Sequence, residues 1–231
     1  MTTIETQLGQ VRARIARACA QAGRAPDAVA LLAVSKTFGP EAVAQAHAAG
    51  QTAFGENYIQ EAVEKIDALQ HLPLQWHCIG PIQSNKTRLV AAHFDWAHTI
   101  DRLKIAQRLS EQRPAGLAPL QVCIQVNVDG GPTKSGVPPE EALALALAVA
   151  DLPGLRLRGL MCIPEAAPDF IAQCAVFTRA RALFDALNSQ NLALDTLSMG
   201  MSADLEAAVQ CGSTLVRVGS AIFGGRPAKA G

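Results

Sequence analysis

The chain has 231 residues, of which 49% are hydrophobic, 17% are charged and 4% are aromatic. This composition is typical of a folded protein with one sizeable core, and it excludes a disordered chain. Twenty basic residues balance twenty acidic ones, so no global field would draw the chain to nucleic acid or to an anionic membrane. Any anion site must therefore be local.

The first predicted element is an amphipathic helix, not a targeting segment. Thr2 to Glu5 form a capping-box pattern, and apolar residues then recur at helical spacing as far as Gly23. No apolar signal-peptide region follows, and the longest apolar stretch, 142 to 150, is too short to cross a bilayer. The six cysteines form no Cys-x-x-Cys pair, which suits reduced thiols. These features predict a cytoplasmic protein without a membrane partner.

Eight apolar segments further along the chain predict β-strands, separated by Ala-rich segments with helical periodicity. Strands and helices that alternate in this way predict a parallel sheet with right-handed crossovers, and eight strands favour closure into a barrel. The absence of Gly-x-Gly-x-x-Gly after the first strand argues against a dinucleotide fold. The fold class is therefore α/β, a single (β/α)8 TIM barrel with an extra N-terminal helix, in one domain over 1–231. The strands are predicted near 29–35, 52–54, 75–80, 95–100, 119–127, 155–162, 194–198 and 214–218, and the helices near 40–49, 57–69, 84–93, 102–113, 142–150, 168–190 and 203–211.

Lys36 stands at the end of the first of these strands. The apolar run before it suits a strand buried on both faces, and such packing does not call for an ammonium group. In one interpretation Lys36 ends the strand and extends into water. In the other, burial lowers its pKa and frees a neutral amine that can hold a carbonyl ligand. Taken alone, this segment favours the first interpretation.

The loops after the seventh and eighth strands predict a phosphate site. Each runs through small residues into the start of a helix, where backbone N–H groups and the helix dipole favour an anion. Ser202 and Ser220 could each donate to phosphate oxygens or only cap a helix, and the two loops together favour the phosphate site. Asp204 and Glu206 would repel a dianion, so we expect them to face away from it.

Arg217 is a second cation that strand burial does not explain. A buried guanidinium needs an acceptor or an aromatic face to offset its desolvation. A phosphorylated aromatic aldehyde would serve the two loops, Arg217 and Lys36 together, and pyridoxal 5′-phosphate has these three parts. The sequence therefore predicts this cofactor. No metal is predicted, because the five histidines show no metal-ligand spacing. Among them, His77 alone is a candidate functional residue.

Five long segments closely resemble the motifs of the pyridoxal phosphate homeostasis proteins. They are 31–37, 54–61, 76–86, 197–208 and 216–224. The likeness extends over nearly the whole chain and implies an alanine-racemase-like barrel without the second, β-rich domain of the racemases. It also implies a cofactor-binding protein without catalytic residues. Such a protein takes part in vitamin B6 homeostasis by buffering pyridoxal phosphate or by delivering it to apo-enzymes, which would be transient partners.

The resemblance also assigns the cofactor-binding residues. Lys36 is implied as the lysine that forms an aldimine with pyridoxal phosphate, and Arg217 as a neighbour of the cofactor. The phosphate is assigned to Ser202, Gly219 and Ser220, and the vicinity of the ring to Asn57 and Met161. The segment that holds Lys134 also matches, although no role is assigned to it.

Two other classes of function remain open. A pyridoxal-phosphate-dependent amino acid racemase would need a second acid or base, and the single tyrosine, Tyr58, stands at a helix start where a packed aromatic residue is expected. An arginine at the pyridine nitrogen would also weaken the electron sink. A phosphosugar isomerase or synthase would need Glu56 or His77 as its base, and it gives no reason for Lys36. A lone barrel with a polar mouth predicts a monomer.

Overall fold

Eight parallel strands close into a barrel in the computed structural model, which describes residues 3 to 131 and 135 to 225. Each strand pairs with the next along the chain, and β8 pairs with β1. The predicted (β/α)8 barrel is therefore confirmed. The strands are β1 (Ala30–Val34), β2 (Ala53–Glu56), β3 (Gln75–Cys78), β4 (Trp96–Ile100), β5 (Leu120–Gln125), β6 (Leu155–Met161), β7 (Thr196–Ser198) and β8 (Leu215–Val218).

Helices cover the outside of the barrel, and the predicted helix positions agree with the observed ones to within a few residues. The segment 142–150 is helical despite its strict Ala/Leu alternation, because Pro139 opens the helix and both repeated residues are strong helix formers. The helices are α1 (Ile4–Gln21), α2 (Pro40–Ala48), α3 (Ile59–Ala68), α4 (Thr87–His93), α5 (Leu103–Gln112), α6 (Pro139–Ala150), α7 (Phe170–Asn188), α8 (Leu205–Gln210) and α9 (Ser220–Phe223), with a 3-10 turn (Ser84–Lys86) before α4.

The extra N-terminal helix, α1, packs against α2, α8 and α9. Its cap is Thr3, whose hydroxyl accepts a hydrogen bond from the Thr6 backbone N–H at 3.1 Å, so the cap falls one residue later than the predicted Thr2. Burial of one apolar face, rather than the cap, holds the helix in place, since each fully buried aliphatic side chain stabilises by about 1.5–3 kcal/mol. That face consists of Leu8, Val11, Ile15, Ala18 and Cys19.

The strands alternate between an outer face and the barrel interior. The outer faces form the main core with the helices, whereas the interior contains two smaller apolar clusters. Buried polar residues also lie in β3, β4, β7 and β8. The clusters consist of Leu32, Val34, Ile79 and Leu215, and of Trp96, Cys123 and Met161.

All six cysteines are free thiols. Within the two described ranges, no helix combines the length and the apolar character needed to cross a membrane. The same ranges contain no group of three or more His, Cys, Asp or Glu side chains that could hold a metal ion.

Candidate functional site

A cavity of about 370 Å³ lies where the carboxyl ends of the strands meet. The loops after β1, β2, β3, β6, β7 and β8 all contribute to its wall, as expected for a barrel of this type. Six of the seven predicted site residues line it, although they are spread over more than 180 positions of the sequence. They are Lys36, Asn57, Ser202, Arg217, Gly219 and Ser220.

The charge of the cavity wall is positive. Among the described residues that line it, Lys36 and Arg217 are the charged ones, and none is a carboxylate. Val34, Ile79 and Ile163 supply apolar wall beside the two cations. A cavity with this lining favours an anionic ligand that also carries an apolar ring.

Arg217 is buried in β8, with 4% of its surface exposed. Its Nη1 donates to the carbonyl oxygen and the hydroxyl of Ser198, at 2.8 and 2.7 Å, and its Nη2 donates to the carbonyl of Cys162 at 2.9 Å. Burial lowers the pKa of Arg217. None of the salt bridges found in the described part of the chain involves this guanidinium. Its charge is therefore stabilised by neutral acceptors, at a high desolvation cost.

Behind Arg217, a chain of hydrogen bonds crosses the barrel. The Ser198 hydroxyl contacts Nδ1 of His98 at 3.0 Å, and Nε2 of His98 contacts Nδ1 of His77 at 2.9 Å. Nε2 of His77 then contacts Oε1 of Gln75 at 3.0 Å, and the His77 ring stacks on Trp96. Burial lowers the pKa of His77 to about 3 and holds the pKa of His98 well below its usual value. Both rings are therefore neutral at physiological pH.

A second buried polar cluster lies beside Lys36. Nζ of Lys65 is 2.6 Å from Oε1 of Glu56, and it also donates to the carbonyl of Ser35, the residue before Lys36, at 3.0 Å. The Ser35 hydroxyl donates to the same Glu56 oxygen at 2.6 Å. Burial raises the pKa of Glu56, an effect that the charge and hydrogen bond of Lys65 and the hydrogen bond of Ser35 oppose. This cluster anchors the end of β1 to α3.

The backbone directly after Lys36 is strained. Thr37 has φ of 69°, which is unfavourable for a β-branched residue, and its N–H donates to Oε1 of Glu61 at 3.1 Å. Oγ1 of Thr37 and Oδ1 of Asn57 are buried, and neither has a hydrogen-bond partner within residues 3–131 and 135–225. Both residues line the cavity. A polar ligand would supply the missing partners, so these atoms fit a bound pyridoxal phosphate.

The loop between β7 and α8 is held from outside the barrel. Nη1 of Arg14, in α1, donates to the Ser202 carbonyl at 2.8 Å, and the same guanidinium binds Glu206 through two further hydrogen bonds. Oδ1 of Asp204 accepts from the backbone N–H of Met201 at 2.6 Å. Neither carboxylate lines the cavity, in agreement with the expectation that both face away. The hydrogen bond from Arg14 lowers the pKa of Glu206.

The loops after β7 and β8 both lead into a helix, as predicted, but both helices are short. The helix α8 has six residues and α9 has four, so neither has a sizeable dipole. Ser202 and Ser220 are not the N-cap residues, since Asp204 and Gly219 occupy those positions, and both serines line the cavity. At Gly219 an added Cβ would lie 3.1 Å from the Val34 carbonyl oxygen, so the glycine permits a close approach of β8 to β1.

Other predicted residues lie elsewhere. Met161 is fully buried against Trp96 and Cys123 and does not line the cavity, because its side chain on β6 points into the barrel interior.

The residues of the alternative functions also lie outside the cavity wall. Tyr58 was expected to be packed but is 53% exposed, and it does not line the cavity. The two candidate isomerase bases, Glu56 and His77, are buried outside the wall. Lys134 lies outside the described residues.

Lys65 and His98 were not predicted from the sequence, and Ser198 was not assigned a role there. His77 and His98 each occupy the middle of a short apolar strand, which was the available signal for polar groups inside the barrel. No local signal identified Lys65, because a lysine in an amphipathic helix is ordinarily exposed.

Known proteins resemble the chain over almost its full length. A model of the family described as "Alanine racemase, N-terminal domain" matches residues 6–227. The pyridoxal phosphate homeostasis protein of Pseudomonas aeruginosa is 61% identical, over 98% of this chain and 97% of its own. The protein of the same name from Escherichia coli is 53% identical, over 98% of both chains.

A solved structure gives the same result. PipY of Synechococcus elongatus, determined with PLP bound, superposes with a TM-score of 0.84 at 37% identity, over 96% of this chain and all of PipY. With a fold and a sequence that match over nearly the full length, this chain belongs to the family of pyridoxal phosphate homeostasis proteins, within the fold group of the alanine racemase N-terminal domain.

Proposed function

We propose that this protein binds pyridoxal 5′-phosphate through Lys36 and takes part in intracellular vitamin B6 homeostasis. One observation carries the proposal: a cavity at the mouth of the barrel gathers Lys36, Arg217 and the Ser202 and Ser220 loops, and the part of its wall that the structure describes contains no carboxylate. The relatives' names and the PLP-bound PipY structure support the same ligand.

Each part of the ligand has a corresponding group in the cavity. Ser202, Gly219 and Ser220 would hold the phosphate, with serine hydroxyl groups as donors. Arg217 would lie beside the ring, and Asn57 would gain a partner for its buried Oδ1. Lys36 would hold the aldehyde of the ligand as a Schiff base, with the loss of one water molecule.

The role that fits these residues is buffering or delivery of the cofactor, without robust catalysis. Tyr58 is exposed and absent from the cavity wall, so within the described residues it offers no acid or base opposite Lys36. An arginine beside the pyridine ring also disfavours ring protonation, on which carbanion chemistry depends. We propose that a single barrel domain performs this role as a cytoplasmic monomer and transfers the cofactor transiently to apo-enzymes. The free thiols suit a reducing compartment.

The assignment is tested by reconstitution with pyridoxal phosphate. Wild-type protein should develop the visible absorbance of a Schiff base, and Lys36→Ala should lose it. Borohydride reduction followed by peptide mass spectrometry should place the cofactor on Lys36. The matched control is Lys104→Ala, at an exposed lysine of α5, which should behave as the wild type does. Labelling elsewhere, or an unchanged spectrum in Lys36→Ala, would overturn the assignment.

The second candidate is an amino acid racemase, which the match to the alanine racemase N-terminal domain favours. Deuterium exchange at the α-carbon of alanine, measured in heavy water, separates the two functions. A binding protein should give no exchange beyond the amount of protein present, whereas an enzyme should sustain turnover that is lost in Lys36→Ala.

A further inference from the structure

We infer that Ser198, His98, His77 and Gln75 form a positioning network that fixes the guanidinium of Arg217 towards the ring nitrogen of the ligand. This inference rests on the proposed function, because it assigns Arg217 to one edge of the bound pyridoxal phosphate. It adds three residues of the barrel interior, Ser198, His98 and His77, to the determinants of that site.

The directions of the hydrogen bonds follow from the two ends of the network, Arg217 and Gln75. A guanidinium can only donate, so the Ser198 hydroxyl oxygen accepts from Nη1 of Arg217. Oε1 of Gln75 can only accept, so Nε2 of His77 donates to it and Nδ1 of His77 is the unprotonated ring nitrogen. Nε2 of His98 therefore donates to Nδ1 of His77, which leaves Nδ1 of His98 to accept the single proton of the Ser198 hydroxyl. One tautomer of each ring satisfies the whole network.

Because all the hydrogen bonds run in the same direction, the acceptor atoms of the network face Arg217. Each group donates away from the guanidinium and presents a lone pair on the side nearer to it. A protonated His98 could not accept from Ser198 and would place a second cation close to Arg217. The low pKa of His98, which burial and the charges of His77 and Arg217 cause, is consistent with a neutral ring.

The geometry also defines what Arg217 can offer to a ligand. Of its five N–H groups, the bonds to Ser198 and Cys162 use three. The other two, one on Nη2 and the one on Nε, are left for the cavity that Arg217 lines. Because Ser198 receives both N–H groups of Nη1, the plane of the guanidinium is fixed at that edge.

The ring of His77, which lies towards the Gln75 end of the network, is held by stacking. The rings of His77 and Trp96 stack with centroids 5.1 Å apart and planes 8° from parallel. The guanidinium of Arg158 lies over the other side chain of this stack, 4.7 Å from the Trp96 ring centroid. Loss of His98 would therefore free Ser198 to rotate without displacing His77.

The test compares pyridoxal phosphate with its 1-deaza analogue, in which CH replaces the ring nitrogen. Dissociation constants of both ligands are measured with Ser198→Ala, His98→Leu and His98→Gln, and with His71→Leu at an exposed histidine as the control. The wild type should prefer pyridoxal phosphate. Ser198→Ala and His98→Leu should weaken its binding by about tenfold and that of the analogue by less than about twofold. His98→Gln, whose amide can accept and donate, should restore the preference.

Equal losses for both ligands would show that the network is only structural and would overturn the inference. An unchanged preference in Ser198→Ala and His98→Leu would do the same. If the wild type captured both ligands at Lys36 with equal affinity, the inference would be wrong and the proposed function would stand. If it captured neither ligand, the proposed function itself would fail. Ser198→Ala removes only one oxygen atom, so it keeps the test decisive should His98→Leu fold poorly.

Discussion

Lys65 and Arg217 are both buried cations of the barrel, each with 4% of its surface exposed, and they are stabilised in different ways. Lys65 has the Glu56 carboxylate at 2.6 Å. Arg217 has two carbonyl groups and one hydroxyl. The lysine is neutralised within the protein, whereas the arginine keeps a charge that reaches a cavity. The difference distinguishes a cation that stabilises the fold from a cation that can bind an anionic ligand.

The largest expected effect comes from breaking the neutralised pair. Lys65→Met should destabilise the protein by about 3–5 kcal/mol, because it leaves the Glu56 carboxylate buried without its cation. Arg217→Met should cost only about 1–3 kcal/mol, because it leaves neutral acceptors unpaired. Urea denaturation of the ligand-free proteins measures both values.

Ligand binding gives the opposite ranking for the same two variants. Arg217→Met should lose most of its affinity for pyridoxal phosphate, while any Lys65→Met protein that remains folded should retain more of it. Equal destabilisation by the two substitutions, or equal loss of affinity, would contradict the distinction between the two cations.

The next effect concerns pH and the histidines behind Arg217. Folding lowers the pKa of His77 from the ordinary 6.5 to about 3 and lowers that of His98 in the same direction. The unfolded chain therefore binds more protons below pH 6.5, so stability is fully present above that pH and falls as the pH drops towards 3. His77 alone should cost about 2 kcal/mol at pH 5.

Urea denaturation between pH 7 and pH 5 checks this slope. His98→Leu should show a shallower dependence than the wild type, because one of the two histidines no longer titrates on unfolding. His71→Leu, at an exposed position, should keep the wild-type slope. Equal slopes for His98→Leu and the wild type would show that His98 is not buried as a neutral group.

The smallest effect is expected at the loop that Arg14 holds. Arg14→Met removes the bonds to Glu206 and to the Ser202 carbonyl, and because this pair is partly exposed it should cost only about 0.5–1 kcal/mol of stability. The affinity for pyridoxal phosphate should fall by about two- to fivefold, because the loop loses a restraint. Arg17→Met, on the exposed side of α1, is the control. If both variants bound the ligand equally well, α1 would have no part in the site.

Much of this molecule could be predicted from local patterns. Apolar runs alternating with periodic Ala-rich segments were sufficient for all eight strands and for the barrel. Small residues after the last strands, together with Lys36 and Arg217, were sufficient for five of the residues that line the cavity. Met161 and Tyr58 were placed less well, because the direction of one side chain at a strand end or a helix start depends on the packing around it.

Short segments of the sequence are enough to predict the order of the elements, the two cations that strand burial does not explain and the glycine- and serine-containing loops. These follow from the periodicity and chemistry of short segments, which each segment carries without reference to the others. The tertiary structure alone decided which buried cation has a carboxylate partner. It also joined Gln75, His77, His98 and Ser198 into one network behind Arg217. Such pairings depend on the closure of the barrel, which brings residues about 100 positions apart into hydrogen-bonding distance.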